Sequence, residues 1–224
     1  MTPRSKKTIV LVAIITYLII LILPFIIIDR SLPDGLRSSL NASPEIIYLT
    51  LVRLFGLLAF SIIFTQIVIG AFRKFFVLLF SPLWLRIHLI LGIVAVIIAL
   101  THPVLLIMND IRDNSLDYLW LLPDFSSQTL LWQSLGPLAL YLIIITAITA
   151  LLRKKIKLWR KLHLLNYLIF FLAFFHSWNI GSDLQINWVK TVWLIYLITV
   201  TIALLYRLKF YISKKRKSPV NYEA

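Results

Sequence analysis

Six stretches of this chain run for about twenty residues or more with almost no charge, each long enough to cross the hydrocarbon core of a bilayer. They lie near residues 8–28, 46–71, 83–108, 131–152, 159–179 and 187–208. The chain is 60% hydrophobic with a mean hydropathy of +0.91, where a soluble domain would be nearer half apolar. The expected fold is therefore an all-α integral membrane protein, a bundle of six transmembrane helices. The first run exceeds the apolar core of a signal peptide and has no small-residue cleavage site, so it reads as a retained helix, kinked towards its end by Pro24. Residues 29–45, with Pro33, Asp34-Gly35 and Pro44, have the chemistry of a loop. The chain divides into an N-terminal helix with its outer loop (1–45), a bundle of five further spans (46–208) and a basic tail (209–224).

The net charge of +14 matters only once those spans are drawn. No basic, aromatic-studded soluble module is present, so nucleic acid is not an expected partner. With the N-terminus placed in the cytoplasm, 18 of the 23 lysines and arginines fall on cytoplasmic segments. Arg30, Arg37, Arg53, Arg112 and Lys190 are the remainder, and eight of nine acidic residues lie on the opposite side. The positive-inside rule then gives a multi-pass protein of the cell membrane with both termini cytoplasmic. The absence of cysteine removes disulfides, thiolate-ligated haem, cysteine-held iron–sulfur clusters and c-type haem attachment.

Ionisable groups inside a bilayer are costly and functional by default. All four histidines of this chain lie on two spans: His88 and His102 on the third, His163 and His176 on the fifth. Both spans run from inside to outside, so His88 and His163 lie near the cytoplasmic surface and the other two near the outer one. Helical rise separates the members of each pair by about 21 Å and about 20 Å, so two rungs are level. That geometry suits two bis-histidine haems stacked between helices 3 and 5, one in each leaflet. The azimuths are less even. His88 and His102 are about 40° apart around their helix, whereas His163 and His176 are about 140° apart. Helix 5 needs a bulge, a local tightening or a strong tilt to aim both inward. Pro103 frees a carbonyl beside His102, and Thr101 is the candidate to satisfy it. Zinc is not the expected metal, because the pairs are too far apart to meet at one tetrahedral ion. A proton-relay transporter and a cofactor-free assembly subunit are the competing classes.

The pairs His88-x13-His102 and His163-x12-His176, on the third and fifth of six spans, resemble the ferric reductase-like transmembrane domain, a family that includes ferric-chelate reductases and NADPH oxidases. The approach Arg160-Lys161-Leu162-His163, the basic loop before it, Arg86 and Gly92 also look like that family; a small residue at 92 would give room to a macrocycle. The resemblance covers about residues 46–208 and implies that His88 and His163 bind an inner b-type haem and His102 and His176 an outer one. Respiratory cytochromes b carry similar pairs in a larger bundle, and ascorbate-linked cytochromes b spread their ligands over four helices. The haem-bearing membrane subunit of the periplasmic methionine-sulfoxide reductase system, a shorter relative that also lacks a fused flavin domain, is a further alternative.

Such a protein passes electrons from a cytoplasmic donor to an acceptor outside. Reductases of the family carry a flavin and nicotinamide domain after the sixth helix. Here about sixteen residues follow, and no glycine-rich dinucleotide fingerprint occurs. The chain is expected to be the membrane component of an oxidoreductase, supplied by a separate flavin/NAD(P)H reductase or by a quinol. Arg73, Arg86, Arg160 and Lys161 are candidates for the inner propionates, although positive-inside anchoring explains them equally well. Arg53, about 10 Å below the outer end of helix 2, is expected to face the bundle and meet an outer propionate or shape the acceptor pocket. Trp178 and Asn179 could cover the outer haem, with an interfacial belt as the plainer role for Trp178. Gln66 reads as helix-packing glue.

Overall fold

The computed structural model describes residues 3–32, 35–39, 41–81, 83–112 and 121–216. Pro33, Asp34, Asp113, Asp117, Trp120 and the end of the basic tail lie outside them. The described residues are helical almost throughout: α1 (Pro3–Ser31), α2 (Gly35–Ser39), α3 (Pro44–Ala71), α4 (Arg73–Phe80), α5 (Leu83–Arg112), α6 (Gln128–Leu151), α7 (Trp159–Leu162), α8 (Leu165–Ile180) and α9 (Asn187–Arg216), with a 3-10 turn at Ser182–Gln185. Among them α1, α3, α5, α6 and α9 are long and apolar enough to cross a membrane. The chain is thus a multi-pass membrane protein seated in a lipid bilayer.

Local chemistry sets several boundaries. Pro44 occupies the first turn of α3, where no backbone donor is needed. Ser127 caps α6 by accepting from the Leu130 amide at 3.2 Å. A turn through Ser81, at φ +51°, lets the chain reverse from α4 into α5. The short α4 was not foreseen; it occupies the link between the second and third expected spans. Pro24 and Pro103 both sit inside helices that continue past them. Thr101 Oγ1 donates to the Ile97 carbonyl at 2.9 Å, not to the Ala99 carbonyl that Pro103 leaves free.

The segment expected to be one fifth helix is instead broken. It forms the four-residue α7 and the sixteen-residue α8, with His163 and Leu164 between them. Around the break, amides bond three residues back: Leu164 to Lys161, Asn166 to His163 and Tyr167 to Leu164, at 3.1–3.3 Å. Each residue wound this way adds about 20° over an α-helical one, so three of them cut the 140° mismatch of the histidines to about 80°.

The central element is α3. It packs antiparallel along α5, touches α1 and α9, and leans on α8, which pairs with α6. Aromatic rings fill the centre. Phe60 stacks on Phe170 and Trp193 with centroids at 4.9 and 5.1 Å, and Phe64 stacks on Tyr196 at 3.9 Å. Offset stacking of this kind adds to plain burial. Leu11, Ile19, Ile90, Ile97, Ile198 and Ile202 point outward. An apolar exterior around a polar-studded interior suits a lipid solvent. One end of the bundle carries all the described acidic residues and is called the acidic end; the other, with α4, α7 and the 153–161 segment, is the basic end.

Candidate functional site

The four histidines meet as two pairs. At the acidic end His102 of α5 and His176 of α8 line one cavity of about 360 Å³. Each ring is tethered at Nδ1. His102 Nδ1–H donates to the Val52 carbonyl at 2.7 Å, and His176 Nδ1–H to the Trp132 carbonyl at 3.2 Å. A carbonyl can only accept, so the proton is on Nδ1 and the Nε2 lone pair is free to bind a metal. Glycines make these tethers reachable. A Cβ added at Gly56 would sit 3.1 Å from the His102 ring, and one at Gly136 would sit 2.6 Å from the His176 ring. Each imidazole therefore lies almost on the backbone of the neighbouring helix.

At the basic end the rings of His88 and His163 are 6.2 Å apart between centres and nearly perpendicular, at 80°. Two imidazoles bound to opposite sides of one metal ion, through bonds of about 2 Å, have ring centres about 6 Å apart. Each ring has a tryptophan four residues before it: Trp84 stacks near-parallel to His88 at 5.8 Å, and Trp159 meets His163 at 6.2 Å. The tethers differ from those at the other end. Asn166 Nδ2 lies 3.2 Å from His163 Nδ1, and His88 Nδ1 is buried with no partner. The Trp84 indole N–H and the Gln66 amide are also buried without partners in this half. Gly70 lies 3.7 Å from the His88 ring by the same Cβ measure.

The other expected residues separate. Arg53 faces the bundle and lines the acidic-end cavity, but its guanidinium is already engaged. Its Nε donates to Asp183 Oδ2 at 3.2 Å, a terminal amine bonds Asp183 Oδ1, and the same amine donates to Ser31 Oγ at 2.6 Å. Asp183 is buried and was missed; it is the one acidic residue between Asp124 and Glu223, which was its only signal in the sequence. Arg86 and Arg160 are exposed, Arg160 lying over the Trp159 ring at 5.5 Å. Gly92 faces the Gln66 amide at 3.9 Å, not an imidazole ring. Trp178 stacks on Phe174 at 5.4 Å and Asn179 bonds the Phe175 carbonyl, so both engage their own helix.

Two of the three glycines that touch histidines had a readable signature. Gly56 and Gly70 are fourteen residues apart on α3, as His88 and His102 are on antiparallel α5. Gly56 meets His102 and Gly70 meets His88.

Neither a curated protein nor a solved structure matches the chain. A family model does: the ferric reductase like transmembrane component, over residues 55–174. That stretch takes in α3 from just before Gly56, both histidines of α5, all of α6 and His163. The matched half of the chain holds three of the four histidines and ends two residues before His176, and the chain belongs to the ferric reductase-like transmembrane family.

Proposed function

We propose that this protein carries electrons across the bilayer, from a flavin or quinol donor at the basic, cytoplasmic face to an acceptor outside, with two b-type haems held as His88–His163 and His102–His176. The observation that carries this reading is the pairing itself: four histidines from α5 and α7–α8 meet two by two at opposite ends of one bundle. The residues fit the group. At the acidic end two rings whose Nδ1 is engaged by a carbonyl line a common cavity, with glycines where side chains would crowd the rings. At the basic end the ring spacing suits one shared iron, and buried polar atoms await partners. When bound, such a haem supplies one-electron outer-sphere transfer without an open coordination position.

The chain's own residues do the rest. The carbonyls of Val52 and Trp132 fix which nitrogen of each outer ring is free. Arg53, held by Asp183 and Ser31, places a fixed positive charge at the wall of the outer cavity. The aromatic core of α3, α8 and α9 keeps water out between the two ends. In this reading α7 and α8 together make the sixth crossing.

Purified protein should show a sharp reduced α-band and two haems per chain. His88→Ala and His163→Ala should each lose the same one, and His102→Ala and His176→Ala the other. A colourless, haem-free preparation from haem-replete cells would overturn the proposal and favour a proton-relay or assembly role.

A further inference from the structure

Three of the four histidines have a partner at Nδ1, and one partner is unlike the others. Backbone carbonyls serve His102 and His176; a side-chain amide, that of Asn166, serves His163. A carbonyl offers only lone pairs, whereas an amide has an acceptor end and a donor end. In the arrangement present, the donor end faces the ring. Asn166 Nδ2 lies 3.2 Å from His163 Nδ1 and donates to the His163 carbonyl at 2.8 Å. The acceptor end, Oδ1, takes a bond from Thr146 Oγ1 at 3.4 Å. An Nδ1 that accepts leaves the ring proton on Nε2, the nitrogen that would have to bind iron.

We infer that Asn166 is the positioning residue of the inner pair, and that its amide turns end for end to make His163 a ligand. This rests on the haem reading above. After the turn Oδ1 accepts from Nδ1–H and frees Nε2. Nδ2 then points to Thr146, whose hydroxyl can accept as readily as it donates. The turn gives up the bond to the His163 carbonyl, which keeps the Asn166 backbone amide at 3.3 Å. The position suits the task. His163 sits at the break between α7 and α8, where no regular helix fixes the ring, and Asn166 and Thr146 join that break to α6.

Two readouts test it. The chain has only four histidines, so ¹⁵N-histidine NMR of haem-free protein in detergent resolves each tautomer. His163 should carry its proton on Nε2 in the parent and on Nδ1 in Asn166→Asp, whose carboxylate only accepts. In haem-loaded protein, redox titration should show the inner potential falling in Asn166→Asp and rising in Asn166→Leu. Each shift should be about tenfold in the oxidised-to-reduced ratio, or about 59 mV for one electron, with the outer potential unmoved. Opposite signs are what a merely structural role would not give. Shifts of one sign, no shift, or an Nδ1–H tautomer of His163 in the parent would overturn the inference. Parent protein that binds no haem yet shows the expected tautomers would remove the haem reading and leave Asn166 as the group that sets the tautomer of His163.

Discussion

The two histidine pairs lie in one bundle and on the same two stretches of chain, yet they are held in different ways. At the acidic end, both rings are tied to backbone carbonyls and pressed against glycines on α3 and α6. At the basic end one ring leans on a side-chain amide, the other has no Nδ1 partner, and the nearest glycine leaves ordinary van der Waals room. Main-chain tethers move only if helices move. Side-chain tethers move with one torsion. The acidic end is thus built for fixed geometry, and the basic end keeps freedom at its rings.

The largest test of that contrast is Asp183→Ala. It strips a buried carboxylate from Arg53 and should cost about 3 kcal/mol, the lower end for breaking a buried pair, since Arg53 keeps some solvent. Chemical unfolding in detergent measures it, and adding Arg53→Met should recover more than half through a double-mutant cycle. If the single change costs under about 1 kcal/mol, the acidic end is not the rigid one. Gly136→Ala comes next. Its methyl would meet the His176 ring at 2.6 Å, so overpacking of about 1–3 kcal/mol is expected, together with loss of one haem per chain by pyridine haemochrome assay.

Gly56→Ala against Gly70→Ala sharpens the comparison on a single helix. The first meets His102 at 3.1 Å and should destabilise by about 1 kcal/mol. The second meets His88 at 3.7 Å and should be neutral or gain about 0.5 kcal/mol from helix propensity. Equal effects in the same unfolding assay would erase the distinction between the ends. The smallest effect belongs to Glu45→Gln. Its 4.0 Å contact with Arg112 joins the acidic-end tips of α3 and α5 through a well-exposed carboxylate, so the shift should stay below about 0.5 kcal/mol.

How much of this could be read from residues alone divides along physical lines. The apolar runs announced a membrane protein because bilayer thickness is a length any sequence must match. The histidines announced pairs because helical rise is regular. The azimuthal mismatch of His163 and His176 pointed to a disturbed helix but not to a break at His163, since overwinding depends on packing against α6. Gly92 is close to His88 along the chain, but helix pairing puts Gly70 beside His88 and Gly56 beside His102. Asp183 could not be assigned to Arg53, because a contact across 130 residues leaves no periodic trace. Arg53 itself was expected inside the bundle, and it is, with an ion-pair partner taken from the chain.

That ion pair also sets an order of events. Arg53 leaves the ribosome long before Asp183, and 130 residues of synthesis take on the order of ten seconds. Of the two partners that hold the guanidinium in the finished fold, Ser31 is made before Arg53 and Asp183 after it. The arrival of Asp183 is therefore the clasp that closes the bundle. A chain ended before Asp183 carries Arg53 without the carboxylate that engages it in the finished bundle.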